Sequence, residues 1–112
     1  MHQLNPATQR AAELFLTLVR HDFDVLGGIV FGSQARGQER ADSDTDMAVL
    51  LRGPHAMLYD TTMQLSDKSF DVMLDTGVCI QALPIWEDWW NDPQTFNNPA
   101  LIENIKREGI RV

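Results

Sequence analysis

Cysteine is nearly absent: the 112-residue sequence has one, Cys79. A single thiol excludes an internal disulfide framework and a cysteine-based zinc site. Cations are scarce as well. Nine Lys and Arg stand against 16 Asp and Glu, a formal charge of -7. That balance argues against unaided nucleic-acid binding, which needs clustered Lys and Arg. No apolar run approaches the ~20 residues that span a bilayer. The first 20 residues lack the basic start of a signal peptide, and Glu13 interrupts their apolar stretch. A soluble, cytoplasmic protein in a reducing compartment is the expectation, with no membrane partner. Hydrophobic residues at 44% against 22% charged make the composition globular rather than disordered. Without repeats, low-complexity tracts or linkers, residues 1–112 read as one domain with one core.

What is present begins with a helix. Asn5 suits the N-cap and Pro6 the first helical position. Ala11, Leu14, Phe15, Leu18 and Val19 then follow the spacing of one buried face. Val25 to Phe31 reads as a buried strand, and Met47 to Leu51 as a second, stopped by Gly53-Pro54. Ser33 to Arg40 has room for a short helix, and residues 55–67 are weakly helical. Ser69 to Leu74 and Val78 to Leu83 are short apolar runs. Asp75-Thr76-Gly77 between them has hairpin-turn chemistry. Trp86 to Asn98 is aromatic and irregular. A last helix is capped by Asn98, opened by Pro99 and stopped by Gly109, with Leu101, Ile102 and Ile105 facing inward. The order helix, strand, strand, helix, hairpin, helix predicts an α+β or α/β fold, a small mixed sheet covered by helices.

Chemistry concentrates between Gly32 and Asp46, in GSQARGQERADSDTD. A P-loop would need Lys and a hydroxyl after Gly37, where Gln38 and Glu39 stand. An EF-hand would need Gly at Met47 and Glu at Gly53. A two-part site fits instead. Gly32-Ser33 follows a strand, so backbone N–H groups and the Ser33 hydroxyl there can hold phosphate. Asp44 and Asp46 enter the next strand, and alternate residues of extended chain point the same way. Two carboxylates so placed call for a cation, and Mg²⁺ binds carboxylates together with substrate phosphates. The pattern describes a nucleoside-triphosphate site.

Gly32-Ser33, a ten-residue interval and Asp44-x-Asp46, with Ala35-Arg36-Gly37 and Asp42-Ser43 between, resemble the signature of the DNA polymerase β-type nucleotidyltransferases. In particular, the chain resembles the minimal nucleotidyltransferases that serve as antitoxins to HEPN-domain toxins. The resemblance implies a polymerase β-like fold and a third carboxylate on a later strand. Asp71, in Phe70-Asp71-Val72-Met73-Leu74, is the candidate, with Asp75 its rival. Asp44, Asp46 and Asp71 would then be the catalytic residues and the ligands of two Mg²⁺ ions. Gly32, Ser33 and Arg36 would bind the nucleotide; for Arg36 a surface ion pair with Glu39 or Asp42 is the equal alternative. The implied activity is transfer of AMP from ATP to a hydroxyl of a partner protein, a HEPN ribonuclease toxin, since no second domain is expected to hold an acceptor. A non-catalytic, partner-sequestering module and an aminoglycoside-type small-molecule transferase are the alternatives.

Other features have plainer readings. Asp75-Thr76-Gly77 matches the aspartic-protease tripeptide, but three residues recur by chance. His2, His21 and His55 lack ligand spacing and read as surface residues. Cys79 reads as core. Trp86, Trp89 and Trp90 read as core packing, with a partner-binding patch as the sharper alternative.

Overall fold

The computed structural model describes residues 4–32, 35 and 44–112. Helix α1 spans Pro6–Arg20, and the Asn5 side chain accepts from the Ala7 amide at 2.8 Å. Its buried face is Ala11, Ala12, Phe15, Leu16 and Val19, while Leu14 and Leu18 are only half-buried. The helix is therefore turned slightly from the expected stripe, which frees Leu14 and Leu18 to line a groove with the next helix.

Strands β1 (Val25–Phe31) and β2 (Thr45–Leu51) run antiparallel, with Val25 opposite Leu51 and Phe31 opposite Asp46. Helix α2 (Leu58–Thr76) connects β2 to the parallel strand β3 (Ile80–Trp86). A two-residue strand β4 (Ile110–Arg111) adds to the other side of β1, antiparallel. The sheet order is β3-β2-β1-β4. This is the expected small mixed sheet. Central strand β2 is apolar almost throughout because both of its faces are covered. Leu16 of α1 and Met47 crowd Gly28 on one face, and the end of helix α4 (Pro99–Glu108) crosses the other at Ile29.

The hairpin expected over residues 69–83 is not there. Residues 69–76 are the second half of α2, and only Ile80 onward is strand. Short apolar runs do not distinguish helix from strand by themselves. The longer pattern does: Thr61, Leu65, Ser69 and Val72 form one buried line along the helix. Gly77 explains the misleading turn chemistry. Its φ of +78° makes it the left-handed cap of α2, and its amide donates to the Met73 carbonyl at 2.8 Å.

The irregular stretch after β3 is ordered by its aromatics. It holds helix α3 (Glu87–Asn91) and a 3₁₀ turn at Pro93–Thr95. Trp89 is buried, edge-on to Trp86 at 5.1 Å and 4.7 Å from Phe96. Trp90 lies under Lys106, whose ammonium is 4.9 Å from the ring centroid. The tryptophans are thus packing residues. His55 joins them, stacked 5.1 Å from Trp89 with its Nδ1 2.8 Å from Asp88. Asn98 caps α4, accepting from the Leu101 amide, and Gly109 ends it, as expected. Among the described residues no helix is long and apolar enough to cross a membrane.

Candidate active site

The site forms where β1 ends and β2 begins. Antiparallel pairing puts Phe31 opposite Asp46, so the residue after Phe31 turns directly over that carboxylate. That residue is Gly32, at φ +73°. A Cβ there would lie 2.6 Å from Asp46 Oδ2, closer than any side chain tolerates. The left-handed backbone favours glycine, and the missing Cβ leaves the Asp46 carboxylate a seat that a larger residue would displace. Asp46 is half-buried and Asp44, just before the strand, is exposed. Thr45 between them is buried, and its amide donates to the Cys79 carbonyl at 2.8 Å.

The parallel neighbour β3 supplies a third side chain. Gln81 stands opposite Asp46 in the register, and its Nε2 donates to Asp44 Oδ2 at 3.0 Å. Cys79 is half-buried beside them rather than in the core. Burial first, and then the Asp44 carboxylate, push its thiol above the usual value of 9.0.

Of the residues read from the sequence, Gly32 and Asp46 approach each other closely, and Asp44 is tied to the same corner through Gln81. Ser33, Arg36 and Asp42 lie outside the described residues. Asp71 does not join. The run Phe70–Leu74 is helix rather than the expected strand, and Asp71 is an exposed residue of α2 that lines a groove with Leu14, Leu18, Leu74 and Asp75. Asp75, the rival, is exposed in the last turn of the same helix. No cluster of three or more His, Cys, Asp or Glu fit to hold a metal forms among the described residues. The position beside the two aspartates belongs to Gln81.

Two hard carboxylates, one exposed and one half-buried, suit a Mg²⁺ ion that completes its shell with phosphate oxygens and water. Gln81 keeps an amide oxygen for the same purpose. The donor set fits one such ion better than two.

The Polymerase beta, Nucleotidyltransferase family matches residues 16–82, more than half of the chain. The chain belongs to the polymerase beta-type nucleotidyltransferases. The matched span runs from α1 into β3 and holds Gly32, Asp44, Asp46 and Gln81. Solved structures agree on the fold. A candidate minimal nucleotidyltransferase is 27% identical with a TM-score of 0.62, covering 99% of this chain and 98% of that one. A candidate nucleotidyltransferase from Sulfolobus solfataricus is 18% identical with a TM-score of 0.57, covering 99% of this chain and 89% of that one. A toxin–antitoxin structure with AMP-PNP is 16% identical with a TM-score of 0.61, covering 89% of this chain and 70% of that one. No curated protein matches.

Proposed function

We propose that this nucleotidyltransferase moves AMP from ATP to a hydroxyl of a partner protein, and that it is the antitoxin of a HEPN ribonuclease toxin. The observation that carries the reading is the seat of Gly32 against Asp46, with Asp44 two residues before it at the entrance of the strand. It leaves backbone where a phosphate approaches and carboxylates where its cation binds. Mg²⁺ held by Asp44 and Asp46 would neutralise the triphosphate. Gln81 orients Asp44 through its 3.0 Å hydrogen bond. In the transfer, a bond forms between the acceptor oxygen and the α-phosphorus, and the bond from that phosphorus to the bridging oxygen breaks. Pyrophosphate leaves, and the acceptor proton passes to solvent or carboxylate. The HEPN partner follows from the motif's resemblance. The toxin–antitoxin neighbour with AMP-PNP supports a nucleotide and a protein partner on this fold.

The test is incubation with radiolabelled ATP, Mg²⁺ and the product of the adjacent gene. Label on that protein, lost with Asp44→Ala, is the expected result. No transfer by wild type, or equal transfer by Asp44→Ala, contradicts the reading. A second reading, partner sequestration without catalysis, is favoured by the neutral Gln81, rather than Asp71 or Asp75, as the β3 side chain bonded to Asp44. It predicts that Asp44→Ala and Asp46→Ala still neutralise the partner.

A further inference from the structure

Helix α2 has two opposed apolar faces. Thr61, Leu65, Ser69 and Val72 are buried against the fold. On the far side Tyr59, Met63, Phe70 and Leu74 are exposed by 73%, 49%, 55% and 70%. They are four of the six exposed large hydrophobic residues among those described. At 3.6 residues per turn they fall within about 60° of one another, along a ridge about 22 Å long. Tyr59, Met63, Ser66, Phe70 and Met73 follow one another at the alternating four- and three-residue steps of a helix that packs against another helix.

The ridge is bounded on both sides. Toward α1 runs a groove of about 350 Å³, lined by Leu14, Leu18, Asp71, Leu74 and Asp75. Toward β3 runs one of about 230 Å³, in which Phe70 and Met73 face Cys79 and Gln81. Its β3 wall therefore includes the amide that holds Asp44. Charge along the ridge has one sign. Asp60, Asp67 and Asp71 flank it, and the helix's one cation, Lys68, is bonded to Asp22 at 2.5 Å. The same ridge of a second copy would bring more aspartate and only the already paired Lys68, and anionic lipid would be repelled.

We infer that the exposed face of α2 docks an amphipathic helix of a partner protein, whose apolar anchors seat on Tyr59, Met63 and Phe70 and whose flank carries Lys or Arg opposite Asp60 and Asp67. The docking stands apart from the proposed transfer. It rests on that reading only for the idea that the docked protein is also the acceptor.

The probe is a synthetic helix of about 20 residues, with Leu at a 3.5-residue repeat and Lys on its flanks. Its counterpart carries Glu on the flanks. Fluorescence titration of the full chain is expected to show salt-sensitive binding of the Lys-flanked peptide alone. Met63→Ser with Phe70→Ser should weaken it at least about tenfold. Asp60→Lys with Asp67→Lys should reverse the preference to the Glu-flanked peptide. All four side chains are exposed or flank the exposed ridge, and circular dichroism checks that the variants fold. Lys-peptide binding unchanged by either pair of substitutions overturns the inference. So does a wild-type dimer that these serine substitutions dissociate, because the occupant is then a second copy. Nucleotide titration of the same samples separates the readings: lost peptide docking with intact Mg²⁺-nucleotide binding refutes docking alone, and the reverse refutes the nucleotide site alone.

Discussion

Gln81 lies in β3 and Asp44 just before β2, two strands joined by a 19-residue helix, yet the Gln81 amide donates to Asp44 Oδ2 at 3.0 Å. The parallel pairing of β2 with β3 creates this contact, because it sets Gln81 beside Asp46. A neutral amide thus partners the Asp44 carboxylate from the β3 position that faces Asp46.

Gln81→Glu exchanges that donor for a third negative charge. Without Mg²⁺ the variant should be less stable than wild type by on the order of 0.5 kcal/mol, a loss of a few degrees in Tm. With Mg²⁺ it should gain more than wild type does, since bound cation stabilises the folded state by mass action. Thermal melts with and without Mg²⁺ check both signs. Equal Mg²⁺ responses would show that position 81 lies outside the cation's reach.

Gly32→Ala meets two obstacles at once, the +73° φ and the 2.6 Å approach to Asp46. The left-handed backbone alone costs an alanine about 1–2 kcal/mol. Urea denaturation should show at least that loss, together with weakened Mg²⁺-nucleotide binding. An alanine variant as stable as wild type would mean that Gly32 does not hold the left-handed backbone.

The Cys79 thiol is held up by burial and by the Asp44 carboxylate. Its thiolate fraction at pH 8 is therefore below that of a free cysteine, and alkylation by iodoacetamide should be slow. Asp44→Asn removes the second cause but not the first. The alkylation rate should rise by a few-fold and stay below that of the urea-unfolded chain. An unchanged rate would separate Cys79 from Asp44.

Trp89 stacks on His55 and contacts Trp86 and Phe96. Trp89→Ala should cost about 3–5 kcal/mol, the range for emptying a buried aromatic site. Denaturant unfolding measures it. A loss below about 1 kcal/mol would put Trp89 at the surface and reopen the partner-patch reading.

Legibility in the sequence tracked how local each signal was. The ends of α1 and α4 were readable because Asn5-Pro6 and Asn98-Pro99 act within one turn. Strands β1 and β2 were readable as dense apolar runs, and the Gly32/Asp44/Asp46 motif because its residues are close along the chain. The second half of α2 was misread because Phe70 to Leu74 is an apolar run at either period and Gly77 serves caps and turns alike. That error carried Asp71 into the site. Gln81 was missed for a different reason: only the parallel register of β3 brings it to Asp44. Strand β4 was missed because two residues have no periodicity to read.

The account turns on Asp44 and Asp46 acting through a cation on a nucleotide. Isothermal titration of the full chain with AMP-PNP tests this most directly, in Mg²⁺ and in EDTA, for wild type and for Asp44→Asn. Binding by wild type in Mg²⁺, abolished by EDTA and reduced at least about tenfold by Asp44→Asn, is the predicted result. Binding that is equal in EDTA, or equal in Asp44→Asn, would contradict it.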